Sequence, residues 1–156
     1  MFVRMLVASV ARFGEMSALT VADIDRDACT ARISKAWKPD GCGGRILGLP
    51  KTRKSLRTFN LSCELVRDLD LDRPADQLLF GNPHGGPIRY EAFRLRWTAS
   101  IRKLVQQDEN GRVVTDRLKG KRHRPHDLRH TCASWMIAVG VPLACSRQYP
   151  PGWQFS

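Results

Sequence analysis

The sequence lacks any long apolar run. No stretch reaches the roughly 18 consecutive apolar residues that a membrane-spanning helix needs. The opening stretch, MFVRMLVASVARFG, is interrupted by Arg4 and Arg12, and no small-residue cleavage site follows it. We therefore interpret this stretch as an amphipathic helix rather than an export signal, and we expect no membrane partner.

Paired cysteine motifs are also missing. The five cysteines are odd in number, and none forms a C-x-x-C pair. This pattern argues against a zinc site and against a disulfide scaffold, and it favours a reducing compartment, which we expect to be the cytoplasm. The scattered histidines have no metal-ligand spacing, so no metal or other cofactor is expected. The cysteines are Cys29, Cys42, Cys63, Cys132 and Cys145.

Acidic residues are scarce relative to basic ones. The 156 residues include 26 Lys and Arg but 15 Asp and Glu, which gives a formal net charge of +11. Such an excess favours a polyanion partner, above all nucleic acid, because each phosphate that a cation neutralises releases counterions. Simple solubility or binding to an anionic membrane would be compatible with the same composition. The length suits one folded domain with a single core.

Apolar spacing in the first half predicts short helices followed by strands. Leu6, Val10 and Phe13 recur at helical spacing, whereas alternation after Thr30 indicates a strand. Ser62 is placed to cap a helix. The predicted elements are helices at Val3–Phe13, Glu15–Leu19 and Ser62–Leu69, a strand at Thr30–Trp37, and a hairpin formed by Ile46–Leu49 and Leu56–Leu61 with KTRKS at its tip.

The second half is predicted to be mainly helical. Phe93, Trp97 and Ile101 recur every four residues, which places a helix over Tyr90–Leu104. A polar, basic loop is expected over residues 106–124, and a second helix follows Pro125 and ends near Gly140. The expected fold class is α+β, mostly helical with a small antiparallel β-sheet.

The most informative motif is HDLRHT, which starts at His126. Three residues of helical spacing place His126 and Arg129 on one face, where an imidazole and a guanidinium can hold an oxyanion and move a proton. A solvated helix face has the same spacing. The motif alone therefore leaves both interpretations open.

Two further basic positions fit the same chemistry. Arg12, in the run RFGE, can reach a phosphate with two hydrogen bonds, or it can form an ion pair with Glu15. Lys51, at the predicted hairpin tip, can enter a DNA groove and bring an ammonium near a leaving oxygen, or it can be part of a solvated basic turn.

Taken together and in this order, the motifs resemble the phage integrase, or tyrosine recombinase, family. ARFGEMSALTVADID is similar to the first arginine box of the family, GLPKTRKSLRTFNL to its lysine-bearing β-hairpin, and RPHDLRHTCASWMIAVGVPL to its second arginine box. LLFGNPHGGPIRYEAFRLRW is similar to the connecting strand, loop and helix. The resemblance extends from about Ser9 to Leu143.

The resemblance implies a role for each matching residue. Arg12 and Arg129 would clamp the non-bridging oxygens of a DNA phosphate, Lys51 would protonate the leaving 5′ oxygen, and His126 would assist proton transfer. Trp153 would fill a third phosphate-binding position, or it is a chance tryptophan in an altered tail. Glu15, Asp127 and His130 would orient these donors. Six further basic residues are expected to contact double-stranded DNA: Arg53, Lys54, Arg57, Arg94, Arg96 and Arg124.

The same family implies strand cleavage and rejoining without a metal, by recombinase protomers that assemble as a tetramer on DNA. We expect Arg12, Lys51, His126 and Arg129 to converge on one basic concavity. The two arginines should lie closest together, with Lys51 farthest out.

The end of the sequence departs from the family pattern. Pro150 and Pro151 would break a continuing helix. Tyr90 comes too early in the chain to be the nucleophile, and Tyr149 is too close to Arg129. We therefore expect an incomplete catalytic domain over residues 1–143 and a divergent, truncated tail over residues 144–156.

These departures leave three functional hypotheses. The first is a strand-exchange enzyme that is inactive alone because its tyrosine nucleophile is missing, unless another subunit supplies one. The second is a noncatalytic DNA-binding module, and the third is a relic fragment of an integrase.

Overall fold

The computed structural model describes residues 1–50, 55–103, 105–107, 109–110, 112–116 and 123–138. Within these ranges the helices are α1 Phe2–Val7, α2 Phe13–Met16, a 3-10 helix Val21–Asp23, α3 Cys63–Arg67, α4 Tyr90–Arg102 and α5 Asp127–Ala138. The strands are β1 Ile24–Asp25, β2 Thr30–Ile33, β3 Ala36–Pro39, β4 Arg45–Gly48, β5 Arg57–Asn60, β6 Val105–Gln107 and β7 Val113–Asp116. The α+β fold class is confirmed.

The first predicted helix is shorter than its apolar spacing indicates. It ends at Val7, because the Ser9 hydroxyl donates to the Met5 carbonyl oxygen at 2.7 Å and the chain then turns. The second helix, α2, begins at Phe13 and includes Gly14, whereas the predicted helix began at Glu15. A Cβ at Gly14 would lie 2.7 Å from the Trp37 carbonyl oxygen, so only glycine allows β3 to pack this closely.

Strand pairing differs from the prediction. The expected strand Thr30–Trp37 is divided into β2 and β3, and the expected hairpin between residues 46–49 and 56–61 is wrong. β4 pairs with β3, whereas β5 pairs with β2 in a three-stranded antiparallel sheet of order β1-β2-β5. The physical reason is the turn at residues 40–44. There the Asp40 carboxylate accepts the backbone N–H groups of Cys42 and Gly44, both at 2.8 Å, which closes a β3–β4 hairpin.

The predicted loop over residues 106–124 also contains secondary structure. β6 and β7 form an antiparallel pair within it. The later helices follow the prediction closely: α4 begins at Tyr90 as expected, and α5 covers most of the predicted range after Pro125. The Ser62 cap is confirmed as well, since the Ser62 hydroxyl accepts the Leu65 N–H at 3.2 Å.

One core joins the N-terminal helices to the three-stranded sheet. Phe2 lies at its centre, where its ring meets those of Phe13, Phe80 and Phe93 edge-on at centroid distances of 5.2 to 5.3 Å. α4 packs against the core through Phe93. α5 lies beside α1, and its buried Cys132 and Met136 pack against Val10. These contacts bring α2, α4 and α5 to one side of the core.

The expectation that the cysteines form no disulfide is wrong for one pair. Cys29 and Cys63 are joined by a disulfide, with their Cα atoms 5.3 Å apart. They are 34 residues apart in sequence, but the Leu61 N–H donates to the Cys29 carbonyl oxygen at 2.8 Å beyond the end of the β2–β5 ladder. That backbone contact brings the start of α3 against the turn before β2.

Among the helices that the structure describes, none has the length and apolarity needed to cross a bilayer. The proposed domain boundary at residue 143 and the tail over residues 144–156 lie outside the described residues.

Candidate functional site

The site begins at the N-terminus of α2, where Arg12 precedes the first helical residue. The Glu15 carboxylate accepts the Arg12 backbone N–H at 2.9 Å through Oε2 and the Arg12 Nη1–H at 2.8 Å through Oε1. The Glu15 side chain is buried, with 2% of its surface exposed, whereas 46% of the Arg12 side chain is exposed. Glu15 therefore fixes the Arg12 guanidinium while nearly half of the Arg12 side chain stays exposed.

Arg57 holds Glu15 from the opposite side. Its Nη2–H donates to Glu15 Oε2 at 2.9 Å and to the Val10 carbonyl oxygen at 3.2 Å. Its Nη1–H donates to the Ser55 carbonyl oxygen at 3.0 Å, and the Ser55 hydroxyl accepts from Arg12 Nη1 at 3.3 Å. With 10% of its side chain exposed, Arg57 is placed to hold Glu15, and through Glu15 to hold Arg12.

The electrostatics of Glu15 follow from this arrangement. Burial alone would raise the pKa of Glu15, but the backbone N–H of Arg12 and the charge of Arg57 outweigh it, and the pKa falls below its usual value. The carboxylate therefore stays ionised at neutral pH and can keep both guanidinium groups in place.

The second half of the site comes from the start of α5. The Asp127 carboxylate accepts the Arg124 backbone N–H at 2.6 Å, and the Asp127 N–H donates to the Arg124 carbonyl oxygen at 3.0 Å. Pro125 is buried between them along the chain. This fixed turn sets where the first turn of α5 directs the side chains of His126 and Arg129.

His126 and Arg129 line one cavity of about 180 Å³ at the junction of α1, α2, α4 and α5. One Arg129 nitrogen, Nη1, is buried and has no hydrogen-bond partner among the described residues. Burial and then the neighbouring charge of Arg12 lower the pKa of Arg129 from its usual value. The two arginines are therefore close enough to repel each other, and a shared anion would relieve that repulsion.

His126 is the titratable group of this cavity. Desolvation, followed by the charges of His130 and Arg129, lowers the pKa of His126 below its ordinary value of 6.5. The ring of His130 meets that of His126 edge-on at 5.0 Å. His126 is consequently neutral at pH 7, so it can accept a proton.

A second, larger cavity of about 610 Å³ adjoins the first and shares Tyr90 and Pro125 with it. Of the arginines expected to contact DNA, Arg94 and Arg124 line it, whereas Arg96 is exposed on α4 and is not among its lining residues. The surface beside the His126–Arg129 cavity is therefore basic.

His126 and Arg129 line the cavity, whereas Arg12 does not line it but is close enough for its charge to lower the pKa of both. Lys51, Arg53, Lys54 and Trp153 lie outside the described residues, so their place relative to the cavity stays a prediction. Ser55, the first described residue after Lys54, contacts Arg12. Within the described part of the chain, no group of three or more His, Cys, Asp or Glu could hold a metal ion.

Tyr90 was not predicted to lie at the site. It lines both cavities and packs edge-on against Phe13, with ring centroids 5.1 Å apart. The helical spacing of Tyr90, Phe93 and Trp97 would have placed it on the core-facing side of α4. No sequence pattern could have predicted that Arg57 is buried against Glu15, because its burial depends on the pairing of β5 with β2.

Comparison with known proteins agrees with the order of these elements. The fold is similar to the Tn1549 transposon integrase in complex with transposon right end DNA (TM-score 0.73, 17% identity), over 92% of this chain and 47% of that chain. A second structure, the same integrase with circular intermediate DNA, gives a TM-score of 0.69 at 17% identity, over 92% and 48% of the two chains. At this identity the likeness shows the fold alone, and the chain spans about half the length of those structures.

No match was found among curated proteins. The model of the phage integrase family, however, matches residues 1–149. That match includes both arginine boxes and all the residues that form the cavity. The chain therefore belongs to the phage integrase family of DNA recombination and integration proteins.

Proposed function

We propose that the cavity between α2 and α5 binds the scissile phosphodiester of double-stranded DNA during metal-free strand cleavage and rejoining. This proposal is carried by the buried Nη1 of Arg129, which has no hydrogen-bond partner in the described part of the chain. A buried guanidinium N–H without an acceptor is costly, and a bound anion would supply the acceptor. The neighbouring charge of Arg12 makes a second donor available to the same anion.

The chemistry follows from the positions of the three side chains. Negative charge builds on the non-bridging oxygens as the phosphorus becomes five-coordinate, and N–H groups of Arg12 and Arg129 would donate to those oxygens. Neutral His126 would take the proton of the attacking hydroxyl group. In this proposal Lys51 protonates the leaving 5′ oxygen, and Trp153 completes the phosphate contacts.

DNA outside the cavity would be bound by the basic surface around it. Arg94 and Arg124 line the adjoining cavity, and Arg96 is exposed on the same helix. Arg53 and Lys54 are proposed contacts from the sequence. Arg57 we assign to positioning, because its guanidinium is occupied by Glu15 and by two backbone carbonyl oxygens.

Cleavage at this site also needs a nucleophile. The 156-residue polypeptide has two tyrosines, Tyr90 and Tyr149. Tyr90 is fixed at the start of α4 beside Phe13, ahead of the second arginine box in the chain. We propose that neither tyrosine attacks DNA, so that the 156-residue polypeptide nicks DNA only when another recombinase protomer supplies a tyrosine.

A plasmid-nicking assay tests this. Supercoiled plasmid is incubated in EDTA with the 156-residue chain, with a tyrosine-bearing integrase lacking its own first arginine, or with both. Nicking only in the mixture supports the proposal. Nicking by the chain alone that disappears in Tyr90→Phe or in Tyr149→Phe would contradict it, since that tyrosine would then be the nucleophile.

The alternative is a noncatalytic DNA-binding module, which the basic cavity lined by Arg94 and Arg124 favours. DNA binding without nicking in any mixture would support that alternative. For the compartment we propose the cytoplasm, where the DNA substrate would lie, although a disulfide is uncommon there.

A further inference from the structure

The disulfide lies at a surface that the proposed DNA chemistry does not use. A cavity of about 550 Å³ opens onto it, lined by both cysteines together with Arg26, Arg67 and Asp72. The cavity that contains His126 and Arg129 shares none of these residues. A disulfide on a cavity of this size is accessible to a small molecule.

The two sulfur-bearing residues differ in access. Cys63 is exposed, at the first position of α3, whereas Cys29 is 9% exposed and belongs to the buried core. A thiolate attacks the sulfur that it can approach along the S–S axis, and the other sulfur becomes the leaving group. The geometry therefore favours attack at Cys63.

The surroundings of Cys29 suit the protonated thiol that forms once the released thiolate has taken up a proton. The Arg26 carbonyl oxygen lies 3.6 Å from Cys29 Sγ, within the range of a hydrogen bond from an S–H group. Once released, the Cys29 thiol would keep this contact inside the core. The Cys29 thiol thus has a hydrogen-bond acceptor in the core, and an added group on Cys63 can extend into solvent.

The charge of the cavity selects among thiols. Arg26 forms an ion pair with Asp72, so these two side chains largely neutralise each other. Arg67 lies at the end of α3 and adds a positive charge to the lining. A thiol that carries carboxylates would be concentrated there, whereas an uncharged thiol would not.

We propose that Cys29–Cys63 is a site of thiol–disulfide exchange with a small anionic thiol of the glutathione class. The thiolate attacks Cys63 Sγ, a mixed disulfide forms there, the Cys29–Cys63 bond breaks, and Cys29 leaves as a thiolate that takes up the proton lost by the incoming thiol. A second small thiol then attacks the sulfur of the small thiol in the mixed disulfide. This step releases Cys63 as a thiol and joins the two small thiols in a disulfide. Two small thiols are thereby oxidised and one protein disulfide is reduced.

The proposal predicts where the added group is found. The purified, oxidised 156-residue chain is treated with reduced glutathione, quenched in acid and mapped by peptide mass spectrometry. The glutathione adduct is expected on Cys63, with Cys29 as a thiol. An adduct on Cys29, or a disulfide that persists in excess glutathione, would overturn the proposal, as would a chain in which mild oxidation never links the two cysteines.

Charge selection is tested with Arg67→Gln. The exchange rate with glutathione is expected to fall by a factor of about 2 to 5, the effect of one partly screened charge, while the rate with uncharged 2-mercaptoethanol stays the same. Arg32→Gln, at an exposed position of β2 that does not line the cavity, is the matched control and should change neither rate. Equal effects on both thiols, or no effect on glutathione, would refute the anionic class.

Cys42 is a free, exposed thiol and should be replaced in the exchange experiment. Cys42→Ser removes its adducts without touching the cavity. Cys132 and Cys145 remain in this variant, and peptide mapping separates their adducts from those on Cys29 and Cys63. This experiment is independent of the proposed DNA chemistry, so the failure of one leaves the other standing.

Discussion

Replacing Glu15 with Gln tests the part of the structure that holds Arg12. The carboxylate accepts three hydrogen bonds, two from Arg12 and one from Arg57, and 2% of the side chain is exposed. A glutamine amide of the same shape retains one acceptor oxygen but removes the charge, and it directs N–H donors at guanidinium groups. The Arg57 guanidinium is then a largely buried cation without its counterion.

The magnitude follows from the burial of the two partners. Breaking a buried pair by removing one partner costs about 3 to 5 kcal/mol, whereas the half-exposed Arg12 contact contributes about 1 kcal/mol or less. Because Arg57 retains two carbonyl acceptors and some exposure, we expect a loss at the lower end, about 3 kcal/mol. For a domain of this size that corresponds to a fall in Tm of roughly 6 to 12 °C.

Urea unfolding followed by circular dichroism measures this loss. Glu64→Gln, at an exposed position of α3, is the matched control and should change the free energy of unfolding by less than about 0.5 kcal/mol. The double variant with Arg57→Gln should lose less than the sum of the single losses, since the two side chains interact directly. A loss below about 1 kcal/mol for Glu15→Gln, or strict additivity in the double variant, would refute the reasoning.

Three further predictions follow from the same contacts. The pKa of Glu15 is lowered in the folded state, so the contribution of this carboxylate to stability is fully present above its unfolded-state pKa and is lost as pH falls through its folded-state pKa. The difference in free energy of unfolding between wild type and Glu15→Gln should therefore narrow as unfolding is measured at lower pH. A difference that stays constant with pH would contradict this. Binding of duplex DNA should raise the lowered pKa of His126 in NMR titrations, because phosphate offsets the charge of Arg129, and an unchanged or lower value would count against phosphate binding there. The disulfide joins cysteines that are 34 residues apart, so its reduction should lower the free energy of unfolding by about 2 to 4 kcal/mol. Urea titrations with and without a reductant measure this loss. Equal unfolding midpoints would show that the cysteines are not linked in solution.

The sequence predicted the helices better than the sheets, and the reason is physical. Helical spacing is a local property, so α4 was placed from Phe93 and Trp97 alone. Strand alternation marks a strand without naming its partner, and the β3–β4 turn at Asp40 decided the pairing. The early end of α1 depended on one side-chain hydrogen bond, from Ser9 to Met5.

The site shows the same division. The spacing of His126 and Arg129 put both on one helix face, and the family resemblance added Arg12. The sequence could not show that Arg57 is buried against Glu15, since that requires β5 to pair with β2. It also could not show that Tyr90 lines the cavity, because order along the chain does not reveal which helix faces which.

Salt dependence of DNA binding measures the contribution of Arg129 to phosphate binding. Arg129→Ala should reduce the slope of log K against log salt by about 1, as expected for one lost phosphate contact, whereas Arg32→Ala should not change it within error. An unchanged slope for Arg129→Ala would mean that the guanidinium contacts no phosphate in the complex.

The most direct test of the central claim is whether Arg12, His126 and Arg129 bind one phosphate together. The side-chain NMR signals of all three residues are followed in one titration with a short DNA duplex, and again in Arg12→Ala and Arg129→Ala. The account predicts that the three signals shift with a single dissociation constant, and that either substitution weakens the response of the remaining two. Separate dissociation constants, or a response of His126 that neither substitution changes, would contradict it.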